Sequence, residues 1–210
     1  MATQRMAVVI SGDVIGSTKL KPPMRKKMQQ LLDSTIRQSG KQWPDFEVQQ
    51  YRGDSLQAVF TKNRKAALQF ALLLQSNLAR QNIHIRLAIG TGQISFKGKN
   101  IITSDGPAFQ ASGPYLDILV KTGGVISIAG SSETFTNEWQ VHSASLNFIL
   151  QRLTTQQAEA IYLQLQGYTQ QEIAKKLKIK QPSVHQRLQG AGWPVLQKII
   201  QRFESVIEEV

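Results

Sequence analysis

Ala7-Val-Val-Ile10 is a short, wholly apolar run rich in β-branched residues, closed by Ser11-Gly12-Asp13. It reads as a strand buried on both faces. Pro22-Pro23 then opens a helical stretch, with Met24, Met28, Leu31, Leu32 and Ile36 at helical spacing and Gly40 as its stop. Residues 46–51 and 56–60 read as two strands around Arg52-Gly53-Asp54, a hairpin signal. Residues 66–78 form a second amphipathic helix, with Ala67, Phe70, Ala71, Leu74 and Leu78 on one face. A strand over 83–89 continues to Ile94, and a further short strand follows Asn100. Asp105-Gly106-Pro107 starts a third helix reaching about Val120, and 125–129 is the last strand. The order β-α-β-β-α-β, then β, α, β, predicts an α+β fold. Its core is a ferredoxin-like split βαβ sandwich with helices on one sheet face.

Beyond residue 130 the pattern changes. Residues 131–143 are polar and poor in periodicity, which predicts a linker; 144–210 carries no strand pattern and is expected to form a separate all-α domain. A chain of 210 residues accommodates two small domains. The sequence has no cysteine, which excludes disulfides, thiolate chemistry and a Cys-based zinc site. No run of about 18 apolar residues is present, so no membrane partner is expected, and a cytoplasmic location is the default. The net charge of +11 suits a polyanionic partner. It is spread over both halves, with 17 basic and 9 acidic residues through 145, and 8 and 5 after it.

In the C-terminal part, Thr169 and Glu172 have capping-box spacing, and Ile173, Ala174 and Leu177 share an apolar face. Lys178-Ile179-Lys180 reads as a tight turn, Pro182 suits a first helical turn, and Val184 and Leu188 pack the second helix back. This is helix-turn-helix spacing. The segment resembles region 4 of sigma factors over roughly 148–193, with Lys178 standing where many such domains have Gly. The resemblance implies that Lys180, Gln181, Ser183, His185, Gln186 and Arg187 contact double-stranded DNA, Arg and Gln at base edges and Lys at phosphates. A helical interaction module with a merely solvated polar face is the alternative. The last helix carries an apolar stripe (Val195, Leu196, Ile199, Ile200, Phe203, Val206, Ile207) suited to its own core or to a dimer contact.

In the N-terminal part, Asp13 and Asp54 fall at the ends of strands that a split βαβ fold places side by side. Paired carboxylates there suit Mg²⁺ or Mn²⁺, with phosphate and water completing the coordination. Gly16 and the helix start after it offer backbone N–H groups to phosphate. Alternatively Asp13 caps a helix, Asp54 is only a turn residue and Arg86 forms a local ion pair. The basic cluster Lys19, Lys21, Arg25, Lys26 and Lys27 reads as a solvated helix face able to steer a polyanion.

Asp13-Val-Ile-Gly16-Ser-Thr18, Gly53-Asp54 and Arg86-Leu-Ala-Ile-Gly90-Thr-Gly92 together resemble the class III nucleotidyl cyclase domain, and more closely the SatD family of cyclase-like proteins. The resemblance covers about residues 6–130. It implies metal ligation by Asp13 and Asp54, and triphosphate binding by Ile15, Gly16, Ser17, Thr18 and Arg86. It also implies a homodimer. The cyclase Asn and Arg that orient ribose and stabilise transition-state charge are replaced by Phe109 and Gly113, and the purine-selecting Lys by Gln50. Losing such a donor costs about 10²–10³ in rate, so fast cyclisation is not expected. The sequence therefore reads as a DNA-binding transcriptional regulator. Its cyclase-like domain would be a dimerisation or sensor unit that binds nucleotide and metal. The alternative is a divergent metal-dependent nucleotidyl cyclase or phosphoryl-transfer enzyme.

Overall fold

The computed structural model describes residues 5–96, 98–130 and 132–208. The buried run at 7–10 lies inside β1 (Arg5–Val14), the middle strand of five. The others are β2 (Glu47–Tyr51), β3 (Ser55–Phe60), β4 (Ile85–Ile94) and β5 (Ile126–Gly130), in the order β2-β3-β1-β4-β5. β1 runs antiparallel to both β3 and β4, and β4 runs parallel to β5. The N-terminal helices are α1 (Pro22–Gln42), α2 (Ala66–Ala79) and α3 (Pro107–Thr122).

The helices lie on both sheet faces, not one. Strand alternation sends Val8, Ile10 and Val14 to the main core with α1 and α2. Ala7 and Val9 point the other way, into a smaller cluster with Ala108 and Phe109 of α3. Gly90 permits this second layer: a Cβ there would lie 2.2 Å from the Ala108 carbonyl oxygen and 2.6 Å from the Ser112 nitrogen. The α3 backbone therefore rests directly on β4, and a buried Ser11–Ser112 hydroxyl bond of 3.0 Å ties it to β1. The strand expected after Asn100 is instead a 3₁₀ turn, Ile101–Thr103. Asn100 caps that turn, its side chain accepting from the Thr103 N–H.

The linker expected at 131–143 is largely helix, α4 (Glu133–Leu150). Its polar side chains bond the outer edge of β5. Asn147 Oδ1 accepts from the N–H groups of Val125 and Ile126 at 2.6 and 3.1 Å, and its amide donates to the Ile126 carbonyl at 2.7 Å. Ser143 accepts from the Ile128 N–H at 3.0 Å, and Gln140 donates to the Ile128 carbonyl at 2.8 Å. An edge strand needs partners for its free backbone groups, and α4 supplies them from side chains. The composition that suggests a loop is thus that of a helix serving a sheet edge.

The chain continues through α5 (Thr155–Leu165), α6 (Gln170–Leu177), α7 (Gln181–Gly190) and α8 (Trp193–Val206). These helices share the main core rather than forming a separate all-α domain. α2 is buried almost all round: Leu68, Phe70, Ala71, Leu72 and Leu74 are each at most 1% exposed. α5 lies against it, with Gln69 donating to the Leu165 carbonyl and Arg80 stacked 4.7 Å over the Tyr162 ring. α8 turns Leu196, Ile199, Ile200, Phe203 and Val206 inward, and Phe203 meets Trp139 of α4 edge-on at 5.2 Å. The last apolar stripe is therefore core, apart from Val195, which is exposed.

Candidate functional site

Asp13 lies near the C-terminal end of β1, directly opposite Arg86 on β4 and Ser55 on β3. The antiparallel ladder brings Asp54, just ahead of Ser55, beside it: the Val14 N–H donates to the Asp54 carbonyl at 2.9 Å. The two carboxylates thus sit at one end of the sheet. Asp13 Oδ2 accepts from Arg86 Nη1 at 3.2 Å, while Asp13 Oδ1 and Arg86 Nε are buried without partners. Burial pushes the Asp13 carboxyl above its ordinary range. Arg86 pulls it down, and the nearby Asp54 charge adds to the rise. Tyr51 senses the same field: burial raises its hydroxyl, Arg52 opposes, and Asp13 and Asp54 add to the rise.

After β1 the chain turns at Gly16, which is left-handed at φ 65°, into a single 3₁₀ turn, Ser17–Lys19. The Ile15 N–H is used by the His84 carbonyl at 2.8 Å. The Ser17 hydroxyl donates to Asp54 Oδ2, and the Ser55 hydroxyl donates to Asp54 Oδ1 at 3.3 Å. Beside Asp54 opens a cleft of about 750 Å³. Ser17, Thr18, Arg25, Lys26, Arg52 and Asp54 give it a cationic wall around one carboxylate, and Leu20, Met28 and Gln29 complete it. A cleft of this size suits a nucleotide-sized ligand.

The structure brings Ser17, Thr18 and Asp54 together in the cleft, while Asp13 and Gly16 are not among its lining residues. Arg86 is held on Asp13. Gln50 is bound to α1 through Gln29 at 2.6 Å and Asp33 at 3.2 Å. Phe109 is buried and Gly113 has no side chain, so neither supplies a donor. Sequence reading passed over Arg52, visible only as a turn residue, and left Arg25 as part of a solvated helix face. Both line the cleft.

Among the described residues no group of three or more His, Asp or Glu side chains could hold a metal alone. Two carboxylates with an unsatisfied oxygen do fit a Mg²⁺- or Mn²⁺-type ion, because such ions take one or two carboxylates plus phosphate and water.

Lys180, Gln181, His185 and Gln186 are exposed on or just before α7, and Ser183 and Arg187 are half-buried there. Gln181 donates to Gln170 at 3.2 Å. The turn before α7 has Lys178 left-handed at φ 53°, and the Thr169–Glu172 capping box opens α6. Among the described residues no helix is long and apolar enough to cross a membrane.

The fold and site define an α+β protein with Asp13 and Asp54 at one end of a five-stranded sheet, beside a cleft lined by Asp54. The SatD family model matches residues 7–205, and the chain belongs to the SatD family. No curated protein matches it. Among solved structures it is similar to a bacterial light-regulated adenylyl cyclase, with 15% identity over 60% of this chain and 76% of that one, TM-score 0.47. It is also similar to an adenylyl cyclase from P. aeruginosa, with 15% identity over 60% and 77%, TM-score 0.45. A third is the non-canonical dimeric guanylyl cyclase domain of a fusion protein from the fungus Blastocladiella emersonii, with 15% identity over 67% and 86%, TM-score 0.45.

One family model thus runs through both the sheet and the C-terminal helices. These findings correct the reading as a DNA-binding transcriptional regulator. Nothing in the comparisons points to a fused sigma-factor region 4 module. Physically, the helices expected to form an independent DNA-binding domain share the core beneath the sheet.

Proposed function

We propose that this chain is a divergent metal-dependent enzyme acting on the phosphates of a nucleoside triphosphate, by phosphoryl transfer or slow nucleotidyl cyclisation. The observation that carries this reading is the placement of Asp13, near the C-terminal end of β1, and Asp54, just ahead of β3, at one end of the sheet, with Asp54 lining the cleft. Asp13 and Asp54 would hold the divalent ion. That ion, when bound, supplies charge neutralisation at the phosphates.

The residues of the chain do the rest. Gly16, in its left-handed conformation, turns the backbone so that Ser17 and Thr18 line the cleft. Ser17 lends its hydroxyl to Asp54 and fixes that carboxylate's orientation. Arg86 holds Asp13 on the opposite side and compensates part of its charge. Phe109 and Gly113 leave cyclisation without side-chain donors, which favours transfer to water or another acceptor.

The test is chromatographic product analysis after incubation with ATP or GTP and Mg²⁺ or Mn²⁺. Metal-dependent release of phosphate or diphosphate that is lost in Asp54→Asn supports the reading. Unchanged nucleotide with every metal contradicts it.

A further inference from the structure

Arg52 stands at the tip of the β2–β3 hairpin with φ 54°, followed by Gly53 at φ 78°. A side chain in the left-handed region carries a steric cost, and turns of this kind favour Asn or Gly. The chain does place an asparagine, Asn82, in the left-handed region elsewhere. At the hairpin tip it carries an arginine instead. Its guanidinium makes no hydrogen bond or ion pair among the described residues, and it lines the cleft beside Asp54. With no hydrogen bond or ion pair of its own among the described residues, that guanidinium is open to a ligand in the cleft.

Arg25 is the second guanidinium in the same wall. It reaches from α1 to the carbonyls of Ser17 and Thr18, with Nη2 at 3.4 Å from each. These contacts hold it against the loop and leave most of its five donors unused. Arg86 is committed to Asp13 at 3.2 Å, so the cations available to a polyphosphate in this cleft come from Arg52, Arg25 and Lys26.

We propose that Arg52 and Arg25 form a two-guanidinium clamp on the phosphate chain, selecting a triphosphate over a monophosphate by charge and bidentate geometry. This inference rests on the proposed function and names the groups that recognise its ligand. The clamp binds phosphate without a metal. Asp13 and Asp54 add the metal-dependent part.

The experiment titrates inorganic triphosphate and inorganic phosphate into the full chain by calorimetry, with and without Mn²⁺. The proteins are wild type, Arg52→Asn, Arg25→Gln and Asp54→Asn, and each is also melted without ligand. Wild type should bind triphosphate without Mn²⁺ and prefer it to phosphate. Arg52→Asn should weaken metal-free triphosphate binding by about tenfold or more, as expected for loss of a charge-assisted contact, while melting at a higher temperature than wild type. Arg25→Gln should weaken the same binding. Asp54→Asn should keep the metal-free binding and lose only the gain from Mn²⁺.

Equal metal-free affinity in wild type, Arg52→Asn and Arg25→Gln overturns the clamp. If Mn²⁺-dependent binding that needs Asp54 persists in that case, the proposed function stands without it. Absence of all triphosphate binding by wild type overturns both.

Discussion

Asp13 and Arg86 are cross-strand partners on β1 and β4, joined at 3.2 Å, yet the pair is incomplete: Asp13 Oδ1 and Arg86 Nε are buried with nothing to bond. A purely structural ion pair would be expected to satisfy both groups, because each unsatisfied buried atom carries a desolvation cost.

The stability cost of this arrangement is testable. The folded-state pKa of Asp13 is raised, by burial first and with Arg86 opposing, so protonation favours the folded chain. Below the ordinary carboxylate pKa the group makes no difference to stability. As pH rises from there through the raised folded value, a penalty appears and then persists. Because the net direction already includes Arg86, Asp13→Asn should melt higher than wild type at pH 7 without ligand, and the difference should vanish near pH 3. Melts across that range check it.

α4 serves the edge of β5 through Asn147, which makes three bonds to Val125 and Ile126. Asn147→Ala strands those backbone groups and should cost about 1–3 kcal/mol. Hydrogen exchange at the amides of Val125 and Ile126 should accelerate in the variant. Unchanged protection there would mean that the edge is held by other contacts.

Phe203 joins α8 to Trp139 inside the common core and is fully buried. Phe203→Ala should lower stability by about 3–5 kcal/mol. Its denaturant unfolding should also stay a single transition by both fluorescence and circular dichroism, because the C-terminal helices and the sheet share one core. Two separated transitions would restore the independent domain.

Gly90 is where α3 rests on the sheet, with the Ala108 oxygen 2.2 Å from the site of a Cβ. Gly90→Ala must push α3 away from β4. It should destabilise the chain far more than Gly113→Ala, where nothing lies within 4 Å of the added atom. Thermal melts of the two variants compare them directly.

The order of elements through the first four strands was legible because strand runs, helical spacing and Pro or Gly breaks agreed locally, whereas the strand expected after Asn100 is a 3₁₀ turn. Three features were not. Ser143, Asn147 and Gln140 look like loop residues, since sequence does not say that a helix will spend them on a strand edge. The apolar residues of α2 suggested one buried face, when α5 and α8 cover the remainder. The layer formed by α3 depends on Gly90, whose meaning is spatial. At the site, Asp13, Asp54 and the Gly16 turn were readable from motif spacing. The pairing of Arg86 with Asp13 and the presence of Arg25 and Arg52 in the cleft needed the register of β1, β3 and β4. The capping box and turn at 169–180 were also readable, but a local helix pair does not reveal what its far side packs against.

The central claim is that Asp13 and Asp54 form a metal-dependent nucleotide site. Its most direct test is calorimetric titration of ATP and GTP, each with Mn²⁺, into wild type and Asp54→Asn. The account predicts Mn²⁺-dependent binding of at least one nucleotide by wild type and loss of the Mn²⁺-dependent part in Asp54→Asn, with the fold intact by circular dichroism. No binding by wild type, or equal Mn²⁺-dependent binding by both proteins, would contradict it.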